Sequence, residues 1–225
     1  MQIKLPITVI IPTFNAELFL GKLLKQVCGC VKTVIIVDGG SSDSTRHIAS
    51  RHLVTLLRGG RGRGYQMQIG GEHATTDWLL FLHADTVLEE GWQLDVCEFL
   101  TSDDINTCGV FSFGLDDLSS HARRVERLAN WRSSVLGLPY GDQGLLISRE
   151  FYCRLGGFRP LPLMEDVEFI RRIGKSRLKI LKARAVTSSM RYRTDGWYRR
   201  PLLNLICLGL YFLGVPPRSI AKIYK

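Results

Sequence analysis

The sequence predicts an α/β fold with a mostly parallel central sheet flanked by helices. Short apolar runs alternate with segments of helical periodicity, which is the pattern of βαβ units. The runs are apolar at nearly every position, as in strands that are buried on both faces of a sheet. Three aspartates, Asp38, Asp85 and Asp166, follow apolar runs. Because parallel strands end at the crevice where such sheets bind ligands, a charged ligand site is expected there.

The first half of the chain supplies four predicted strands and four predicted helices. The run ITVII is closed by Pro12, and Ser42 or Asp43 is placed to cap the second helix. The predicted strands are 7–11, 33–37, 53–57 and 78–82, and the predicted helices are 16–28, 44–52, 65–74 and 90–101. The apolar stripe predicted for the first helix comprises Leu18, Leu20, Leu23, Leu24 and Val27.

The pattern changes after residue 105. Strands are predicted at 108–115 and 144–148, a basic helix at 119–136 and a further helix at 165–174. The first half of the chain is typical of a half-domain that binds a nucleotide, and the second half is typical of one that binds an acceptor substrate. Since no linker separates them, one domain is predicted over residues 1–200, followed by an apolar helical segment over 201–225.

The C-terminal segment permits two interpretations. Residues 202–215 are apolar and follow the sequence WYRRP, but the run is too short to span a bilayer as a straight helix. Either it lies in the membrane interface with Trp197, Tyr198, Arg199 and Arg200 at headgroup level, or it packs on the domain or on a partner.

The chain is basic, with a net charge of +9, and its arginines and lysines are clustered. Such clusters bind phosphates, nucleic acid or an anionic membrane, or they form solvated surface. The six cysteines show no zinc-binding spacing, which favours a reducing compartment without disulfides. The N-terminal sequence lacks the features of a signal peptide. A cytoplasmic location is therefore predicted, with the inner face of the membrane as the site of any peripheral contact.

Five motifs carry a resemblance to a known family. They are VIIPTFN at 9–15, VDGGSSDST at 37–45, the glycine-arginine loop at 58–71, FLHADT at 81–86 and MEDVEF at 164–169. In this order and spacing they resemble family 2 glycosyltransferases of the GT-A fold. RGRGYQM, HADT and YGDQGLLISRE are similar to a short bacterial subgroup whose substrates are poorly defined. The resemblance implies a hexosyltransferase-like enzyme that uses a nucleotide-sugar donor.

The resemblance implies a donor site at the strand ends. Pro12 and Thr13 would lie against the base and ribose, and Asp38 would accept hydrogen bonds from a base N–H or a ribose hydroxyl. Arg63 would grip a donor phosphate beside a helix N-terminus, and Gln66 would face the donor from that helix. Asp38 as a cap of the next helix, and loop 58–64 as plain surface, are the competing interpretations.

The HAD sequence stands where the family has its DxD motif. The resemblance implies that Asp85 binds a divalent cation, Mg²⁺ or Mn²⁺, that bridges the donor diphosphate. His83 replaces the first aspartate of the motif. It is either a ligand, which Mn²⁺ tolerates, or a buried structural histidine.

The second acidic motif implies the catalytic residues. Asp166 would be the general base that removes the acceptor's hydroxyl proton in a single inverting displacement. Glu165 would orient Asp166 or bind the acceptor. Charge stabilisation at the helix N-terminus is the competing role of Asp166. Between two glycines, Asp142 and Gln143 would bond sugar hydroxyls or form a plain turn, and Arg191 would close over the diphosphate or bind a lipid phosphate.

Two other classes of function were weighed against this interpretation. A non-catalytic membrane- or nucleic-acid-binding module explains the basic clusters but leaves the strand-end aspartates without a role, and no nucleic-acid motif is present. A nucleotidyltransferase would need a glycine-rich loop with lysine after the first strand, which VIIPTFNAE lacks. The expected partners are therefore a nucleotide-sugar donor and a hydroxyl acceptor of unknown identity, without nucleic acid.

Overall fold

The computed structural model describes residues 4–102 and 104–224. The strands in this part are β1 (Leu5–Thr13), β2 (Val31–Asp38), β3 (Thr55–Arg58), β4 (Trp78–Phe81), β5 (Thr86–Leu88), β6 (Cys108–Leu115), β7 (Leu145–Ser148) and β8 (Leu178–Thr187). The helices are α1 (Glu17–Val27), α2 (Thr45–Ser50), α3 (Arg63–His73), α4 (Trp92–Leu100), α5 (Ser120–Leu136), α6 (Arg149–Arg154), α7 (Glu165–Ile173), α8 (Met190–Asp195), α9 (Arg199–Phe212) and α10 (Pro217–Ile223). Single 3₁₀ turns lie at Gly141–Gln143 and Lys175–Arg177.

The eight strands form one sheet in the order β3-β2-β1-β4-β7-β6-β8-β5. The first four neighbours are parallel, as predicted. The second half is mixed, because β7 runs antiparallel to both β4 and β6 while β6 and β8 are parallel. The parallel half brings the ends of β1, β2 and β4 to one edge of the sheet.

The sheet has a packed core on each face. Val9 and Ile11 pack with the apolar face of α1 and with α4, whereas Ile10 and Val37 face the side that carries α3 and α7. Helix α3 lies very close to β1, since a Cβ added at Gly70 would lie 2.3 Å from Ile10 Cγ2. This contact fixes the N-terminus of α3 beside the strand ends.

The six predicted strands and the six predicted helices that end by residue 174 are all present, with ends shifted by a few residues. One stripe residue was predicted wrongly: Leu18 is exposed and lines a cleft, whereas the other four are buried. Asp43 rather than Ser42 bonds the start of α2, because its Oδ1 accepts from Thr45 N at 3.0 Å. The sequence interpretation missed β5, β8, α6 and α8.

The C-terminal helices pack on the domain by one face. Cys207, Leu208 and Ile220 are buried in a cluster with residues of and before α7, namely Leu163, Met164 and Val167. No helix in the described residues is long and apolar enough to cross a membrane. The proposed division at residue 200 stays a prediction, and its terminal residues 1–3 and 225 lie outside the described residues.

Candidate active site

A cleft of about 940 Å³ opens at the edge where β1 and β4 end. Its walls also include the N-terminus of α3, the 3₁₀ turn before β7, the start of α7 and the chain after β8. Nine predicted site residues line it: Pro12, Thr13, Arg63, Gln66, His83, Asp85, Asp142, Asp166 and Arg191. The other three, Asp38, Glu165 and Gln143, lie behind its surface.

Asp38 is buried and organises the turn after β2. Its carboxylate accepts hydrogen bonds from Thr13 Oγ1 at 3.2 Å, from the backbone N–H groups of Gly40 and Ser41 at 3.1 and 3.0 Å, and from Ser41 Oγ at 2.5 Å. Both carboxylate oxygens of Asp38 thus already accept hydrogen bonds from groups of the protein. Asp38 shapes this wall of the cleft, and its direct contact with a donor stays a prediction.

Gln66 ties α3 to the ends of two strands. Its buried amide donates to Thr13 O at 2.6 Å and to Val37 O at 2.8 Å. Because both bonds use Nε2, the side chain holds the backbone at the ends of β1 and β2, beside the cleft.

An ion pair between a partly exposed arginine and a buried carboxylate joins the glycine-arginine loop to α7. Arg63 Nε lies 2.8 Å from Glu165 Oε1, and the Glu165 side chain is only 1% exposed. The Glu165 carboxylate raises the pKa of Arg63, whereas burial raises the pKa of Glu165 against the opposing effect of Arg63. Glu165 thus binds Arg63 and lies behind the cleft surface, which argues against direct contact with an acceptor, whereas its predicted role in orienting Asp166 stays a prediction.

Asp166 projects into the cleft from the first turn of α7. Its Oδ2 accepts from Gly141 N at 2.8 Å and its Oδ1 from Val167 N at 2.8 Å. The helix follows Met164, whose φ of 62° is left-handed, a conformation that costs energy in a non-glycine residue. This turn and the two hydrogen bonds from backbone N–H groups fix the carboxylate at the cleft surface.

His83 stands against the turn that carries Asp142. A Cβ added at Gly141 would lie 2.7 Å from His83 Nε2, so only glycine fits there. That nitrogen is buried and has no hydrogen-bond partner among the described residues. Burial, together with the charges of Arg63 and Arg191, holds the pKa of His83 well below its usual value. The imidazole is consequently neutral.

Asp85 reaches the cleft from the turn between β4 and β5, where its carbonyl accepts from Ser188 N at 3.0 Å. In residues 4–102 and 104–224, no three His, Cys, Asp or Glu side chains converge to bind a metal by themselves. A divalent ion at Asp85 would need oxygens from a ligand. That arrangement suits Mg²⁺, which usually binds through one or two carboxylates plus substrate phosphates.

Asp142 and Gln143 occupy one 3₁₀ turn but have different environments. Gln143 is fully buried, donates to Phe111 O at 2.9 Å and accepts from Ser133 Oγ at 2.6 Å. The prediction that it binds the donor is therefore wrong, because its amide anchors the turn in the core. Asp142 faces the cleft, and its buried Oδ1 has no partner among the described residues.

Burial and the nearby Asp166 and Asp85 carboxylates raise the pKa of Asp142 to about 6, although Arg132 and Arg63 oppose this. The raised pKa means that the folded protein binds more protons here than the unfolded chain between about pH 4 and 6. Asp142 therefore lowers stability as the pH rises through this window. We expect Asp142→Asn in the metal-free protein to raise the free energy of unfolding by about 2–3 kcal/mol at pH 7. Urea titrations at pH 4 and 7 measure this, and an equal gain at both values would contradict it.

The C-terminal region supplies cleft residues that sequence reasoning did not name. Tyr192, Arg200, Asn204 and Tyr224 line the cleft. The Arg200 guanidinium lies 4.3 Å from the centre of the Tyr224 ring. The WYRRP sequence was the only signal for this wall, and the sequence left open whether the segment after it lies in the membrane interface or packs on the domain or on a partner.

The match to a family model decides the family of the chain. Residues 8–154, well over half of the chain, match the model described as glycosyl transferase family 2. The chain belongs to glycosyltransferase family 2. Membership of this family favours a transferase over the non-catalytic module and over the nucleotidyltransferase.

A curated relative supports the same family. The glycosyltransferase is 27% identical over 107 residues to the lipopolysaccharide core biosynthesis glycosyltransferase LpsC of Rhizobium meliloti (strain 1021). The match covers 45% of this chain and only 39% of the relative. The chain thus spans well under half of that protein's length.

Solved structures place the glycosyltransferase in the GT-A fold. S. aureus TarS residues 1–349 align with a TM-score of 0.64 at 16% identity, over 99% of this chain and 69% of theirs. The mannosyltransferase PcManGT from Pyrobaculum calidifontis, in complex with GDP-Man and Mn²⁺, gives 0.61 at 18% identity, over 82% and 57%. Glucosyl-3-phosphoglycerate synthase from Mycobacterium tuberculosis, with Mn²⁺, UDP and its product, gives 0.58 at 17%, over 81% and 70%. At these identities the likeness establishes the fold.

Proposed function

We propose that the enzyme transfers a sugar from a nucleotide-diphosphate donor to a hydroxyl acceptor, with inversion at the anomeric carbon. The observation that carries this proposal is the convergence of Asp85, Arg63 and Asp166 on one cleft. These residues offer a carboxylate for a metal, a cation for phosphate and a fixed carboxylate for the acceptor proton.

The donor diphosphate is proposed to lie between Arg63 and Asp85. Asp85 would hold Mg²⁺ or Mn²⁺ together with diphosphate oxygens, and neutral His83 can add its ring nitrogen. When bound, the cation neutralises the charge that develops on the departing nucleoside diphosphate. The Mn²⁺ in the mannosyltransferase and the synthase complexes supports a divalent ion, and the GDP-Man and the UDP in those two structures support this donor class.

Asp166 is proposed to remove the acceptor's proton. As the acceptor oxygen forms a bond to the anomeric carbon, its proton passes to the Asp166 carboxylate. The bond between the anomeric carbon and the diphosphate oxygen breaks with its electron pair on the leaving group. No covalent sugar–enzyme intermediate is needed, because a single displacement inverts the carbon. Asp142 and Arg191 would bind the sugar and the diphosphate.

The acceptor is proposed to enter beside α9 and α10, at the wall formed by Arg200, Asn204 and Tyr224. The name of LpsC links a relative to lipopolysaccharide, and the synthase was solved with a glucosylated phosphoglycerate. Both point to a hydroxyl acceptor that also carries anionic groups. A cytoplasmic location with peripheral membrane contact remains part of this proposal.

A calorimetric screen of nucleotides tests the donor site. We expect one nucleoside diphosphate to stabilise the protein by about 3–4 kcal/mol at 100 to 1,000 times its Kd, and only with Mn²⁺ or Mg²⁺ present. Asp85→Ala should abolish the metal-dependent part of this stabilisation. Asp77→Ala is the matched control, because Asp77 is exposed and lies outside the cleft lining. Full stabilisation of Asp85→Ala would remove Asp85 from the metal site.

A further inference from the structure

Helix α9 carries an apolar stripe on its outer side. Its residues recur at helical spacing, and each side chain is between 47% and 82% exposed. The stripe, called here the α9 stripe, comprises Leu202, Leu205, Ile206, Phe212 and Leu213. Cys207 and Leu208, on the other side of the helix, are buried in the cluster with α7. The exposed stripe is therefore additional to the face that folding requires.

Exposed cations flank the α9 stripe in the sequence. Arg199 begins the helix, while Arg218 and Lys222 are exposed on α10 one turn apart. The sequence from residue 196 to residue 225 contains no Asp or Glu. Tyr198, an aromatic residue suited to a headgroup region, is exposed at the N-terminal end. The surface around the stripe is thus positively charged without local compensation from this segment.

The apolar stripe together with the cations favours one kind of binding partner for this surface. A protein partner would need acidic groups matched to each cation, whereas an anionic bilayer offers an apolar boundary and negative charge over one plane. We propose that α9 and α10 dock the enzyme on an anionic membrane surface. The α9 stripe enters the headgroup–acyl boundary, and Arg199, Arg218 and Lys222 meet lipid phosphates.

Docking would place catalysis at the membrane. The helices that carry this surface also line the cleft, α9 through Arg200 and Asn204 and α10 through Ala221, with Tyr224 directly after it. This inference deepens the proposed function, since it makes a lipid-borne hydroxyl the acceptor that the cleft can reach most directly. The docking itself does not depend on the chemistry proposed for Asp166.

Vesicle sedimentation tests the proposal with the full chain. We expect binding to vesicles of equal parts phosphatidylcholine and phosphatidylglycerol, weakened by salt, and little binding to phosphatidylcholine alone. Leu202→Ser/Leu205→Ser should weaken binding at least tenfold. Arg218→Gln/Lys222→Gln should weaken it about fivefold per removed charge. Leu53→Ser/Leu94→Ser is the matched control, because both leucines are exposed outside the stripe.

The readouts separate the alternatives. Unchanged thermal unfolding of each variant shows that it is folded, and nucleotide binding without vesicles tests the donor site independently. Equal binding by wild type and Leu202→Ser/Leu205→Ser would overturn the proposal. A second outcome would also overturn it: the wild type does not bind vesicles, and light scattering shows a wild-type dimer that this variant does not form. The stripe would then be an interface between two copies of the chain.

Discussion

Asp166→Asn is expected to lower kcat by about 10²–10⁴-fold, the usual contribution of a general base, with little change in donor affinity. The substitution conserves shape, and the remaining carbonyl oxygen can still accept the hydrogen bond from Gly141 N, now 2.8 Å from Asp166 Oδ2. An amide cannot take the acceptor's proton. Arg63 and Asp85 hold the donor and its cation in the proposed mode, so the substitution leaves the donor affinity unchanged.

Single-turnover transfer measured with saturating donor isolates this step, and calorimetry reports donor binding separately. Asp77→Asn, an exposed position outside the cleft lining, controls for the loss of one negative charge. If Asp166→Asn keeps a turnover rate within tenfold of wild type, another residue must be the general base. Asp142 would be the first residue to test, because its Oδ1 is free of partners in the described structure.

The parallel half of the fold was predictable from local sequence. β1 and β2 are runs of β-branched residues buried on both faces, so one pattern reports both burial and strand type. β8 escaped prediction because LKILKARAVT alternates basic and apolar residues, which resembles a solvated charged segment. It becomes a strand through pairing with β6 and β5, and that pairing is not visible in its own sequence.

The candidate site was predictable where a side chain lies at or shortly after the end of a strand. Thr13 ends β1, Asp85 lies in the short turn after β4, and both line the cleft. Gln143 and Glu165 each adjoin a cleft aspartate in the sequence but are buried, since neighbouring side chains on a tight turn or at a helix start point in different directions. The wall from α9 and α10 depends on packing between elements far apart in the chain, and no local motif records it.

The second large effect concerns the ion pair of Arg63 and Glu165. Arg63→Leu is expected to destabilise the protein by about 3 kcal/mol at pH 7, because it leaves the Glu165 carboxylate buried without a counter-charge. This value is at the lower end of the range for broken buried pairs, since Arg63 is 37% exposed and water reaches it. Arg63→Leu/Glu165→Leu should recover much of the loss, because it removes the uncompensated charge.

The pH dependence identifies the cause. The pKa of Glu165 is already raised by burial, and the loss of Arg63 raises it further. A carboxyl group with a raised folded pKa favours the folded state when protonated, so stability falls as the pH rises from the unfolded value, about 4.3, through the folded one. The loss of stability of Arg63→Leu in urea unfolding should thus be smaller at pH 5 than at pH 8.

Arg154→Leu is the matched control. It breaks an exposed pair with Glu150 and should cost under about 1 kcal/mol at either pH. If Arg63→Leu loses the same free energy of unfolding at both pH values, the loss comes from packing of the arginine stem and not from the charge of Glu165. The donor affinity of the double variant then decides whether Arg63 also binds phosphate.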